Sequence, residues 1–373
     1  MYRLFIVLYL LLTFSVSGQP RLMSFVSPAV RSIQLSSGES SCHASTVLEV
    51  ADDELLVAYF AGEYERHPEV SIYLQQVVMR RGKWKVGKAI MIADGWVNDT
   101  LRYPCWNPVL VSIPDGRIAL FYKVGPSPQE WWGMVCFSSD KGQTWGLPIR
   151  LPEGILGPIR CKPIWTEKRL LCGSSEERID SNGNPRWSVH IEWADSSLTQ
   201  WKRSEVDCDT FNAIQPTILA YPDSLVILCR TLNKCIAYSK STDGGVSWSA
   251  LQPYFLSSSK MVDLAVMNIS MELSNTIQQE RWRVPNNNSG IDALLWDSSI
   301  PIIAMNPIAE TDYSKGRNKL ALILGNAMIY LENQQSGEFS YPALIMAKNN
   351  TCLYMSYTYN RKTIKLLRIP LLP

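Results

Sequence analysis

Six times along the chain a small or polar lead-in is followed by a run rich in Val, Ile, Leu and aromatic residues, a polar turn, and a second such run. The segments are residues 45–60, 108–123, 163–175, 216–231, 291–307 and 342–359. Each predicts a β-hairpin, with turn residues such as Asp115-Gly116 between the apolar strands. Their starts fall 51 to 75 residues apart. A period near 50 residues with two inner strands per unit is what a propeller blade requires, so the pattern predicts an all-β chain folded as a six-bladed β-propeller of four-stranded antiparallel blades.

A third and often a Trp-bearing fourth strand follow most hairpins. Two of these continuations share the spacing S-x-D-x-G-x-x-W: Ser138, Asp140, Gly142, Trp145, and again Ser241, Asp243, Gly245, Trp248, 103 residues later. Ser and Asp side chains at this spacing bond the N–H groups of a tight turn, Gly takes φ > 0, and Trp tucks back beneath. The predicted role is a folding staple at the outer edge of a blade. Weaker echoes occur at residues 188–206, where Trp201 follows a Ser-rich turn, and at residues 71–84.

Composition narrows the function. Against 36 Lys+Arg stand 34 Asp+Glu, a formal charge of +2, with 46% hydrophobic residues. That balance excludes a nucleic-acid binder and a disordered tail. There is no P-loop, no G-x-G-x-x-G and no His/Cys metal set among 3 His and 9 Cys, so no cofactor and no metal are expected. Residues 4–16 form an apolar run behind Arg3, with Ser15 and Ser17 before a cleavage position, which reads as a signal peptide over residues 1–18. The expected product is a secreted monomer with no membrane span, a single propeller over residues 19–373. Sequons at Asn98, Asn268, Asn287 and Asn349 fit a glycoprotein if each lies in an exposed loop. The cysteines contain no CxxC pair, which leaves disulfides and ordinary core packing both open.

The Asp boxes and the six-hairpin period resemble the sialidase superfamily, six-bladed propellers in which a short N-terminal strand closes the last blade. More narrowly, the chain resembles secreted or plant and bacterial BNR/Asp-box members. The phrases carrying the likeness are CHAST at 42–46, CWNPVL at 105–110, FYKVG at 121–125, GILGPIRCKPI at 154–164, FNAIQPT at 211–217, NSGIDA at 288–293 and FSYPA at 339–343. The likeness runs from about residue 40 to the C-terminus. Residues 260–283 have no counterpart in it, which predicts an atypical insertion at about 257–284 and makes the fifth blade the irregular one, with residues 306–330 short for a blade end.

In a propeller the starts of the inner strands surround a central tunnel and form a shared concave site. Here those positions are His43, Asn107, Arg160 with Lys162, Gln215, Ser289 with Asp292, and Tyr341. The resemblance implies a Tyr nucleophile at the start of the final inner strand, matched by Tyr341. A phenol avoids the repulsion a carboxylate would meet at an anionic sugar. It implies a carboxylate that takes the phenol proton, matched by Glu177 with Glu176 beside it. A general acid is expected from residues 62–70, which offer Glu63, Glu65, His67 and Glu69. The resemblance implies Glu at the position of Glu65 and Asp at that of Glu69, where the extra methylene displaces the carboxyl by about 1 Å, enough for a loss on the order of 100-fold.

The resemblance further implies three arginines on the substrate carboxylate, because guanidinium forks match carboxylates. The first belongs to an R-I-P phrase whose place is held here by Cys42-His43-Ala44. The remaining cations near the hub are Arg102, Lys123, Arg160, Lys162, Arg230 and Arg361, with Arg230 and Arg361 the preferred carboxylate partners. Trp106, Trp131 and Trp132 either wall the sugar or pack between blades. The leading expectation is an exo-glycosidase that releases a terminal acidic sugar: sialic acid, a related 2-keto-3-deoxy sugar acid, or a uronic acid. A non-catalytic propeller that binds acidic glycans, and a lyase or hydrolase acting on uronates with His43 as base, are the alternatives.

Overall fold

The computed structural model describes residues 30–167, 169–208, 210–257, 281–310, 315–325 and 327–371. The expected signal peptide, Asn268 and most of the insertion lie outside them. Every regular element among the described residues is a strand, and six antiparallel sheets form the blades of a propeller. The first blade runs outward from the hub through Ser41–Ala51, Glu54–Gly62, Ser71–Arg80 and Lys83–Val86, with Ile90–Ala93 added on Ser71–Arg80. The second comprises Cys105–Ser112, Ile118–Val124, Trp132–Ser138 and Ile149–Arg150. The third has Ile164–Trp165, Arg169–Ile179, Pro185–Asp195 and Trp201–Glu205; the fourth has Ala213–Tyr221, Ser224–Thr231, Ile236–Ser241 and Gln252–Pro253. The fifth holds Asp292–Trp296, Ile300–Met305, Lys319–Leu324 and Ala327–Asn333, a full set of four where the sequence suggested a shortened blade. Phe339–Met346, Cys352–Tyr359 and Thr363–Pro370 make the sixth, completed by Arg31–Leu35 from the other end of the chain.

Inner strands are largely apolar because both faces of each blade are covered by neighbours. Ile118–Val124, for example, is buried at every position. Six apolar clusters lie one between each adjacent pair of blades and close the ring. In order they contain Leu56 and Leu120, Phe121 and Cys172, Ile191 and Ile227, Leu228 and Ile303, Leu322 and Met355, and Tyr354 and Val57. All nine cysteines are free and eight are buried, so they pack as small core residues. Flanking the insertion, Phe255–Ser257 pairs with Arg281–Arg283 as a two-stranded ribbon.

Both Asp boxes form the turn from the third to the fourth strand of their blades. Asp140 accepts N–H bonds from Gln143 and Thr144, Ser138 Oγ accepts one from Gly142, and the Trp145 indole donates to Gly142 O at 3.2 Å. Those bonds, led by the one from the Thr144 hydroxyl, hold the Asp140 carboxyl down at about 2. Asp243, Ser241, Gly245 and Trp248 repeat the arrangement. At Gly142, with φ +85, a Cβ would lie 2.6 Å from Leu56 of the preceding blade. The staple is therefore also an inter-blade contact. The weak echo at Trp201 is a third staple: its indole donates to Leu198 O at 2.9 Å, Leu198 at φ 60 stands where the others have Gly, and Asp195 accepts from Thr199 and Gln200.

Candidate functional site

Four inner strands start with the same irregularity. Pairing jumps from His43↔Phe60 to Thr46↔Ala58, from Lys123↔Trp106 to Phe121↔Val109, from Ile214↔Arg230 to Thr217↔Leu228, and from Ser340↔Thr358 to Ala343↔Ser356. In each bulge two residues face one, and one of them has positive φ: Ala44 at 51°, Asn107 at 42°, Gln215 at 55° and Tyr341 at 55°. The last three each precede proline. Such bulges re-aim side chains, and backbone strain of this kind is kept where the surrounding structure enforces it.

Tyr341 lies at the centre of a cationic cage. The guanidinium carbons of Arg160, Arg230 and Arg317 stand 5.1, 5.4 and 5.7 Å from its ring centroid, and the His43 ring is 4.2 Å away. Arg160 spends its fork on the carbonyls of Ile291 and Pro342, so it braces the bulge that carries Tyr341. Arg230 donates Nη1 to Asn288 O at 2.8 Å, while its buried Nε has no partner among the described residues. Arg317 donates to Ser289 Oγ at 3.2 Å and to Glu338 at 2.9 Å. Arg361 bonds Glu338 at 2.8 Å and pairs with Glu65 across the seam between the sixth and first blades.

The carboxylates divide by environment. Burial works against ionising Glu338, but the bond from Arg361 and the charges of Arg317 and Arg361 hold it below the usual glutamate range. Glu177 goes the other way: burial pushes it up, against the pull of Arg230 and Arg66 and with a further push from Glu65. Its neighbour Glu176 pairs with Arg203 and Arg178 in its own blade, so of the adjacent pair Glu177 is the one coupled to the arginine cage. Glu69 is exposed, and its carbonyl accepts Arg102 at 3.2 Å. His43 is buried, and neither ring nitrogen has a partner among the described residues. Burial first, then the charges of Arg361, Arg317, Arg160 and Arg230, drive its basicity far below the ordinary histidine value. An imidazole in that state is a poor base, and the expectation of His43-driven lyase chemistry finds no support in the geometry.

Other expected site residues have structural partners. Asp292, 2% exposed, accepts Lys162 Nζ on both oxygens at 2.9 Å, Thr217 Oγ at 2.9 Å and the Leu344 N–H at 2.7 Å. It joins residues of four blades, which gives Asp292 and Lys162 a structural role beside the catalytic and substrate-binding ones expected of them. Removing one partner of a pair buried on one side strands the other. Asp292→Ala is expected to cost about 3 kcal/mol and to lower the melting temperature by about 4 °C. A variant that melts like the parent but has lost turnover would leave the catalytic role alone.

Trp106 takes the second of its two expected places. Its indole donates to Gly125 O at 2.9 Å and packs on Phe60 and Trp131, so this Trp closes the inter-blade seam and offers no face to a sugar. Lys123, fully buried, donates to Pro158 O and is pushed down by burial to about 7. Glu192 accepts the N–H groups of Leu156 and Gly157 at 2.9 and 2.6 Å. Together they pin the loop that delivers Arg160. Asn107 and Gln215 are buried at the hub, and Gln215 Oε1 has no partner among the described residues.

Arg317 and Glu338 were not legible as site residues. Arg317 follows the irregular part of the fifth blade, where the repeat could not be aligned. Glu338 lies three residues before Tyr341, ahead of the repeated phrase. Among the described residues no group of three or more His, Cys, Asp or Glu is gathered to hold a metal.

Comparison with known proteins fits this architecture. The family model described as BNR repeat-like domain matches residues 53–355. Among solved structures, a protein of unknown function from Dyadobacter fermentans superposes with a TM-score of 0.64 at 15% identity, covering 92% of this chain and 100% of that one. A Hadza microbial sialidase gives a TM-score of 0.64 at 12% identity over 89% of this chain and 66% of its own. The Trypanosoma rangeli sialidase in complex with the inhibitor DANA gives 0.62 at 12% over 88% and 55%. The chain thus spans about half to two thirds of these two sialidases. No curated protein matches the sequence significantly.

Proposed function

The chain belongs to the BNR repeat-like domain family of the sialidase superfamily, and on that premise we propose that it is a secreted exo-glycoside hydrolase that releases a terminal acidic sugar at the hub. The observation that carries this reading is the set of three guanidinium groups within 5.1–5.7 Å of the Tyr341 ring. Four arginines gather there, counting Arg361, and three carboxylates answer them, of which Glu177 is pushed toward its neutral form. The surplus is positive, and a partly buried positive surplus favours an anionic ligand.

Arg230 Nε, unpaired among the described residues, and the Arg317 guanidinium receive the sugar carboxylate. Tyr341 attacks the anomeric carbon, and Glu177 takes the phenol proton, its raised basicity suiting it to that exchange. Glu65 is spent on Arg361 and Glu63 faces His67, which leaves Glu69 as the carboxyl of the residue 63–69 loop that protonates the leaving oxygen. The aryl glycosidic bond between Tyr341 and the sugar is then hydrolysed by water, with retention. Because the proton acceptor must be ionised, kcat/KM is expected to fall as the pH drops through the raised Glu177 value, above the range of an ordinary glutamate.

A panel of fluorogenic α- and β-glycosides of acidic and neutral sugars, run with a glycan-binding array, tests the reading. Release confined to acidic glycosides is expected. Binding of acidic glycans without any release would instead assign a lectin, the reading favoured by the loss of the first-blade arginine to Cys42-His43-Ala44. Equal release of neutral sugars would refute the acidic-ligand assignment.

A further inference from the structure

On the link between the first and second blades a small hairpin, Trp96–Asn98 paired with Leu101–Arg102, stands clear of the sheets. Gly95 anchors its base so close to Tyr103 O that a Cβ would lie 1.6 Å away. Trp96 is 55% exposed, and next to it Val97 is 46% exposed, a large apolar surface for a turn of this size. One face of the indole is occupied: the Arg102 guanidinium sits 5.5 Å from the ring centroid, itself held by Glu69 O at 3.2 Å and Ser71 Oγ at 2.9 Å. Beside the ring, Trp96, Val97, Asn98 and Asp99 line one open recess.

Asn98 begins the sequon Asn98-Asp99-Thr100. Its Oδ1 accepts from Thr100 N, Thr100 Oγ and Leu101 N, each at 3.0 Å, while its Nδ2 has no partner among the described residues. A register shift between Trp96 and Asn98 places the bulge between the aromatic and the amide. We propose that Asn98 is an N-glycosylation site whose first aminosugar fills this recess and stacks on the free face of Trp96. The Nδ2 nitrogen bonds to the anomeric carbon of an oligosaccharide carried on a lipid pyrophosphate. The C–O bond to the pyrophosphate breaks with its electron pair, and the amide loses one proton. The sugar's apolar face then covers the indole, which Arg102 stiffens from behind.

The other described sequons provide internal controls. Asn349 is exposed and bonds Thr351 in the same way, but Ala347 stands two positions upstream where Asn98 has Trp96. Asn287 is 1% exposed, donates to Lys315 O and accepts from Ser289 Oγ at 2.8 Å, so a glycan there is incompatible with the fold.

The site requires passage through the secretory pathway, so it rests on the secretion proposed above. The test separates the two. The full chain is expressed in secreting eukaryotic cells with its own N-terminus and, in parallel, behind an added leader, and occupancy is read by mass at each sequon. Asn98 is expected to be occupied and Asn287 unoccupied. Trp96→Ala should lower the melting temperature of the glycosylated protein by about 2 °C more than it lowers that of the Asn98→Gln background. Glycan in the leader form alone removes the secretion reading and keeps the site. An unmodified Asn98 in the leader form, an occupied Asn287 in folded protein, or an equal Trp96→Ala shift in both backgrounds overturns the proposal.

Discussion

Replacing Tyr341 with Phe is expected to lower kcat by about 10³–10⁵-fold while changing the affinity for an acidic sugar no more than about 3-fold. The substitution removes one oxygen and leaves the ring that Arg160, Arg230, Arg317 and His43 surround, so the cage and the strained backbone at φ 55° keep their reasons to form. A loss of that size corresponds to roughly 4–7 kcal/mol of transition-state stabilisation, more than displacement of one hydrogen bond supplies. Steady-state kinetics on the preferred acidic glycoside, with ligand binding measured by calorimetry, reads both quantities. Undiminished turnover would eliminate Tyr341 as the nucleophile. An equal loss of binding and turnover would reduce it to a wall of the pocket.

The blades were legible because their signals are local. Alternating turns and apolar runs recur within each period, and the Ser, Asp, Gly and Trp of a staple act on one another within eight residues. Leu198 shows the limit of that legibility: it takes the left-handed turn position that Gly142 and Gly245 hold, so the third staple gave only a faint sequence echo. Closure by Arg31–Leu35, which the family resemblance implied, is read in the structure from pairing across nearly the whole chain.

The site was legible as a set of positions more than as a set of roles. Inner-strand starts fell where the repeat put them, and the recurrent X-Pro steps at Asn107, Gln215 and Tyr341 carried a bulge signal in the sequence itself. Roles depend on contacts between residues far apart in the chain. Lys162 and Asp292, 130 positions apart, neutralise each other; Arg361 and Glu65, 296 apart, do the same. Sequence could not distinguish a cation with a partner from one with a donor to spare. Trp106 stayed open between two places for a related reason, since indoles are at home both in seams and in sugar sites, and only the position of Gly125 O decides.

That distinction between spent and spare donors sets the second large effect. Arg230→Met is expected to weaken binding of an acidic sugar by about 30–1000-fold, the range for truncating one partner of a desolvated charge pair, and to leave neutral sugars unaffected. Arg230 is the sharpest probe because its Nε is buried, unpaired among the described residues and beside Tyr341, whereas Arg160, whose buried Nε is unpaired too, commits both Nη atoms to the backbone carbonyls that hold the Tyr341 bulge. Arg317→Met should lose affinity as well, but partly by freeing Glu338 to repel the ligand carboxylate. Adding Glu338→Gln to it should therefore recover part of the loss, a non-additivity that Arg230→Met does not share. Arg160→Met, by loosening the bulge at Pro342, should lower kcat more than it raises KM. The protein carries a formal charge of only +2, so its long-range field is weak and the arginine cage acts at short range. Raising salt should accordingly alter the dissociation rate of the acidic sugar more than its association rate. Arg230→Met binding acidic and neutral sugars as the parent does would remove the carboxylate from this corner of the hub.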